Sequence, residues 1–296
     1  MSFPYRDENK ELNNETRGSA GGSFIQLPDG MTHYELGGNE SGEAVVLVHG
    51  FSVPYFIYDP TYEFLTRSNY QVLRYDLFGR GFSDRPRVRN NLDFFVRQLA
   101  GLLDALRFNQ RVNLVGLSMG GPIASAFTVR YPERVNKLIL IDPSGAKPID
   151  TAWTVRFARV PILAELAYGQ IGSSKFVNSV AKDFFDPSLV EQFQQRYKVQ
   201  MQYKGFMRSI LSTIRNDMLN SNIEIYWSLG KLGIPILLLW GRNDRTVPFE
   251  QSSLLRDVMP DAEFHVIENC GHIPHYERPA EVNPIILNFL RQTQDE

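Results

Sequence analysis

Val112-Asn113-Leu114-Val115-Gly116-Leu117-Ser118-Met119-Gly120-Gly121-Pro122-Ile123-Ala124 is the stretch that decides how this chain folds. The apolar, β-branched run 112–115 reads as a buried parallel strand. Gly-Leu-Ser-Met-Gly then matches the G-x-S-x-G turn that lifts a serine hydroxyl clear at the top of a strand, and small residues follow as a helix start. Glycine is expected on both sides of the serine for a steric reason: side chains at 116 or 120 would collide with the neighbouring strand and helix. Ser118 would sit at a helix N-terminus, where free N–H groups favour developing negative charge.

Working outward, the same strand signal recurs. Ala44–Val48 ends in His49-Gly50, Tyr70–Tyr75 ends at Asp76, and Lys137–Ile141 ends at Asp142. Ile234–Trp240 leads into Gly241-Arg242-Asn243-Asp244, and Glu263–Ile267 into Asn269-Cys270-Gly271-His272. Helical spacing lies between them, as in Asn91–Phe108 with apolar residues at 92, 95, 96, 99, 102, 103 and 106. Alternating strands and helices predict an α/β fold, with a mostly parallel sheet covered on both faces. Ser23–Gly38 reads instead as a hairpin across Pro28-Asp29-Gly30, with His33 as a structural or surface residue.

Between Ala146 and Leu229 the strand rhythm stops, and helical, aromatic-rich patterns predict an inserted cap. The expected organisation is a flexible polar segment at 1–22, a core made of 23–145 and 230–296, and a helical cap at 146–229.

Composition sets bounds. The 296 residues, 43% hydrophobic and 22% charged, suit a globular protein. A net charge of −2 without a basic stripe argues against nucleic acid or anionic lipid as a partner. One cysteine excludes an internal disulfide framework. No apolar run is long enough for a membrane span or a signal-peptide core, so a cytoplasmic location is the expectation. His265, Cys270, His272 and His275 crowd together but fit no zinc spacing, and no metal or other cofactor is expected. Asp76-Leu-Phe-Gly-Arg-Gly-Phe-Ser83 lacks the Gly-Lys-Ser/Thr ending of a phosphate loop. Nothing in the sequence fixes the oligomeric state.

A serine hydroxyl needs a base within reach and a carboxylate to orient that base. Asp244 and His272 follow two later strands, giving the chain order Ser, Asp, His on one edge of the sheet. Asp142 also follows a strand and stands as the alternative acid. Taken together, His49-Gly50-Phe51, the Asp76–Ser83 loop, Gly116–Gly120, Gly241–Asp244 and Gly271-His272 resemble, in order, the motifs of α/β-hydrolase fold enzymes that carry a helical cap. The resemblance runs from about Phe24 to the C-terminal helix. It implies Ser118 as nucleophile, His272 as general base and then acid, Asp244 as orienting carboxylate, and the backbone N–H groups of Phe51 and Met119 as oxyanion donors. Asp76 then organises its loop and His49 supports the oxyanion loop.

The substrate rests with the cap, whose Trp153, Phe157, Ile162, Leu163, Leu166, Phe176, Phe184, Phe206, Met207, Ile210, Leu211 and Ile214 could roof an apolar pocket or form the cap's own core. The first expectation is a serine carboxylesterase or lipase-like enzyme acting on a small apolar ester through an acyl-enzyme. The alternative is a carbon–carbon bond hydrolase on vinylogous diketones, although the polar stretch expected after the oxyanion loop is not obvious in Phe51-Ser52-Val53-Pro54. A non-catalytic ligand-binding protein on the same fold is a third reading.

Overall fold

The computed structural model describes residues 5–148, 158–171, 174–216 and 218–292. Trp153 and Phe157 lie outside them. Eight strands form one sheet: β1 (Ser23–Leu27), β2 (Gly30–Gly38), β3 (Ala44–Val48), β4 (Gln71–Tyr75), β5 (Val112–Leu117), β6 (Val135–Ile141), β7 (Ile236–Gly241) and β8 (Glu263–Ile267). Their order is β1-β2-β4-β3-β5-β6-β7-β8, with β2 antiparallel to both of its neighbours, β1 and β4, and every other pairing parallel.

The continuous apolar runs have a simple cause, since alternate residues feed different cores. Val45, Leu47, Val115, Leu117, Ile139, Ile141, Leu237 and Leu239 enter one cluster with Leu65, Val282, Ile286 and Phe289. Val46, Val48, Leu114, Leu138, Leu140, Leu238 and Trp240 enter the other, with Phe95, Leu99, Leu102, Ile123 and Phe127. A strand buried on both faces is almost continuously apolar, and the polar residues that these strands do carry, such as Asn113 on β5 and Lys137 on β6, are hydrogen-bonded. The helices Asp59–Arg67 and Pro279–Arg291 therefore cover the first face, and Leu92–Ala105 and Gly120–Arg130 the second. Lys137 closes the C-terminal helix: its ammonium donates to the carbonyls of Phe289 (3.0 Å), Leu290 (2.6 Å) and Gln292 (2.5 Å), at the negative end of the helix dipole.

Between β6 and β7 the described chain is helical, including Leu163–Ile171, Ser174–Ser179, Val190–Met201, Phe206–Arg215 and Ile223–Leu229. Phe184, Phe206, Met207, Ile210, Leu211 and Ile214 are buried in the first apolar cluster, whereas Ile162, Leu163 and Leu166 are exposed. The polar composition of the N-terminal segment leaves out its contacts. Lys10 pairs with Gln202 and Lys204 through the backbone, and Glu8 accepts from Gly205 and Met207 N–H groups, both at 2.6 Å, at the start of helix Phe206–Arg215. The ion pair Arg17–Asp84 ties the short helix Asn14–Gly18 to the core. No helix among the described residues is long and apolar enough to cross a membrane.

Candidate active site

Each sequence-predicted site residue lies just beyond the C-terminal end of a parallel strand. Ser118 leaves β5 with φ of 52°, a left-handed conformation that a serine adopts only when its surroundings impose it. Those surroundings are the flanking glycines. A Cβ on Gly116 would lie 2.5 Å from the Gly120 carbonyl oxygen, and one on Gly120 would strike the carbonyls of Val48 and His49. The turn is pinned by Ser118 N–H to Ile141 O (2.9 Å) and by Ser144 N–H to Ser118 O (3.1 Å). Ser118 is 8% exposed.

The loop after β3 runs alongside: a Cβ on Gly50 would be 3.1 Å from Ser118 Cβ. His49, fully buried, donates from Nδ1 to Gly50 O (2.9 Å) and accepts at Nε2 from Leu77 N–H (2.9 Å). Burial lowers its pKa to about 4, so it is a neutral strut for this loop. Arg80, also fully buried, donates from Nε to Phe51 O (2.7 Å). Gln200, from helix Val190–Met201, reaches Ser52 O (2.7 Å). Among the described residues, the backbone N–H groups of Phe51 and Met119 donate no hydrogen bond to the main chain.

On the far side of the edge, His272 Nδ1 donates to Asp244 Oδ2 over 2.7 Å. Asp244 Oδ1 accepts from the N–H groups of Thr246 (2.7 Å) and Val247 (2.9 Å), which fixes the carboxylate. Burial would pull the His272 pKa down, but the charge and hydrogen bond of Asp244, with the charge of Asp183, hold it above the ordinary histidine value. The structure thus joins His272 to Asp244 and not to Asp142. No hydrogen bond links Ser118 Oγ to His272 Nε2; such contacts are often long until substrate engages them.

Several contacts had no sequence signal because their partners are remote. Asp183, from the helical segment between β6 and β7, accepts His272 N–H at its carbonyl (2.7 Å) and the Thr246 hydroxyl at its carboxylate. Glu277 accepts Gly271 N–H (2.8 Å) and holds the histidine loop from behind. His265 pairs with Glu263 (2.6 Å) on β8, and Cys270 lies buried beside Glu277. His275 is fully buried with its ring 4.7 Å from Tyr58, and burial lowers its pKa to about 3. Among the described residues, the group whose ligand atoms all lie close together is Asp142, Asp244 and His272, within 4.8 Å of one another.

The family model for the alpha/beta hydrolase fold matches residues 43–279. The 2-hydroxy-6-oxo-6-phenylhexa-2,4-dienoate hydrolase of Comamonas testosteroni is 29% identical over 276 residues, 90% of this chain and 93% of that protein. A solved meta-cleavage product hydrolase from Pseudomonas fluorescens IP01 superposes with a TM-score of 0.74 at 26% identity, covering 91% of this chain and 97% of the other. A thermophilic esterase from Thermogutta terrifontis gives 0.76 at 25% identity, covering 91% and 98%.

Proposed function

The chain belongs to the α/β-hydrolase fold family, and from that membership we propose that it is a serine-dependent hydrolase that cleaves a carbon–carbon bond beside a ketone in a vinylogous diketone. The observation that carries this reading is the likeness, over nine-tenths of both chains, to a hydrolase of 2-hydroxy-6-oxo-dienoates. The site geometry supports the chemistry. Ser118 supplies the oxygen that adds to the ketone carbonyl, His272 takes its proton while Asp244 steadies the imidazolium, and the Phe51 and Met119 N–H groups hold the oxyanion. As the carbon–carbon bond breaks, the departing carbon receives a proton from His272. Water then adds to the acyl-enzyme while His272 takes one of its protons, the acyl group leaves as a carboxylic acid, and His272 passes that proton to the Ser118 oxygen.

Ester hydrolysis is the second reading. It uses the same parts with an alkoxide as leaving group, and the absence of a polar stretch in Phe51-Ser52-Val53-Pro54 together with the likeness to the T. terrifontis esterase favours it. The two separate in one assay. Purified protein is offered a 6-alkyl- and a 6-phenyl-2-hydroxy-6-oxohexa-2,4-dienoate, whose colour fades on cleavage, and a series of p-nitrophenyl esters. The carbon–carbon reading expects kcat/KM at least about tenfold higher for a dienoate, a difference of roughly 1.4 kcal/mol in transition-state binding. Ester turnover with inert dienoates would replace it by the second reading.

A further inference from the structure

Asp142 is the residue at which β6 leaves the sheet. Its N–H still bonds to Leu239 O (3.0 Å), but its φ of 42° turns the side chain toward the end of β7. There Oδ1 accepts from Gly241 N–H at 2.9 Å, and buried Oδ2 has no hydrogen-bond partner among the described residues. The residue is 0% exposed. The group it meets is Asp244, whose carboxylate lies within 4.8 Å of its own. A hydrogen bond between two carboxyl groups needs a proton on one of them.

Donor supply decides which. Asp244 receives three N–H groups, from Thr246, Val247 and His272, whereas Asp142 receives one. The charges that act most strongly on Asp142, those of Asp244 and Glu277, are both negative. The ionisable groups that face it are Asp244, His272, Glu277 and the Cys270 thiol, and Glu277 adds to the negative field. Burial first, and the charge of Asp244 second, hold the Asp142 carboxyl well above the usual range.

We propose that Asp142 is a neutral carboxylic acid that donates from Oδ2 to Asp244 and so acts as a positioning residue behind the Asp244–His272 pair. The inference rests on the reading of Ser118, Asp244 and His272 as the hydrolytic set. A fourth donor on Asp244 fixes its rotation and draws off some of its charge. His272, which also faces Asp183, Lys182 and His275, is then less strongly held as a cation and gives up its proton at a lower pH than it would without Asp142.

The test compares wild type, Asp142→Asn and Asp142→Ala by the rate at which a fluorophosphonate labels Ser118 between about pH 5 and 9, the range where histidine titrates. Asparagine can accept from Gly241 and donate to Asp244, so it should restore the wild-type midpoint. Alanine should shift the midpoint upward and slow labelling roughly 10- to 100-fold, as for a lost hydrogen bond to a charged group. A downward shift of about one unit in Asp142→Asn would mean that an ionised Asp142 had been removed, and would overturn the proposal. So would Asp142→Ala with a slower rate but an unmoved midpoint, the mark of a merely structural residue. If Asp142→Ala does not fold, the wild-type minus Asp142→Asn infrared difference spectrum decides: a protonated-carboxyl band at neutral pH supports the proposal, and a carboxylate band refutes it. Absence of labelling in wild type would instead strike the nucleophile assignment, and the infrared spectrum would still judge Asp142.

Discussion

His33 and His272 each donate from Nδ1 to an aspartate Oδ2 over 2.7 Å, His33 to Asp76 and His272 to Asp244. Both rings are buried, and both carboxylates accept two further backbone N–H groups: Tyr55 and Phe82 for Asp76, Thr246 and Val247 for Asp244. The pairs part company at the other nitrogen. His33 Nε2 faces the Gly21 carbonyl at 3.0 Å, so both ring nitrogens meet acceptors, an arrangement that favours the protonated ring. His272 Nε2 has no hydrogen-bond partner among the described residues. A buried aspartate–histidine pair is therefore not in itself a mark of catalysis. What matters is whether the second nitrogen is free to take and return a proton, and whether a nucleophile waits on the same sheet edge.

The comparison breaks most sharply under substitution. His272→Gln should lower kcat/KM by about four orders of magnitude or more, as loss of a triad member does elsewhere. His33→Gln should leave the rate within several-fold but cost about 1.5 to 3 kcal/mol of stability, read as a lower denaturation midpoint, because a charged buried hydrogen bond is lost. If His33→Gln were the dead enzyme and His272→Gln the unstable one, the two roles would have been exchanged.

pH sharpens the same contrast. On the proposed mechanism activity needs neutral His272, whose pKa is raised, so kcat/KM should climb with pH and reach half its plateau above the ordinary histidine value of about 6.5. His33 works in the opposite sense. Burial alone would lower its pKa, but Asp76 holds it above the unfolded value, so its contribution is complete below about pH 6.5 and is lost as pH rises through the raised folded value. Asp76 is buried yet held low by His33, so its contribution is present above about pH 3.9 and fades as pH falls through the depressed folded value. The stabilisation conferred by the pair should thus peak in mildly acidic solution, where activity is still low. Urea denaturation of wild type and His33→Gln across pH measures this, and a difference that grows above pH 8 would contradict it.

The smallest effect concerns a cation with no part in either pair. Lys137→Met removes three carbonyl contacts at the end of the C-terminal helix but keeps the apolar stem, and should cost about 1 to 2 kcal/mol without altering kcat. A changed pH–rate profile in that variant would couple this helix to the site.

Much of the architecture is local in origin and so readable in the sequence. The two-faced strands announce themselves as apolar runs, the elbow needs Gly116 and Gly120 for contacts within one turn and its neighbour, and Asp244 and His272 follow strands whose parallel order brings their ends together. Contacts made by groups far apart in the chain left no pattern. His33 was readable as structural, but Asp76 as its partner was not, since 43 residues separate them. Asp142 stood out as a strand-end acid, yet its role as a neighbour of Asp244 depends on how the end of β7 curls over β6. Asp183 comes from a segment whose aromatic composition suggested only apolar packing. The ester-first reading had the same root: composition cannot distinguish a roof over an apolar pocket from side chains buried in the protein's own core, as Phe206, Ile210 and Leu211 are.

The central claim, that His272–Asp244 is the working pair and Ser118 its nucleophile, is tested most directly by mass spectrometry after exposure to a fluorophosphonate. A single adduct on Ser118 is expected in wild type and His33→Gln, with none in Ser118→Ala and none at matched times in His272→Gln. An adduct on any other residue, or one on Ser118 that forms as fast without His272 as with it, would contradict the account.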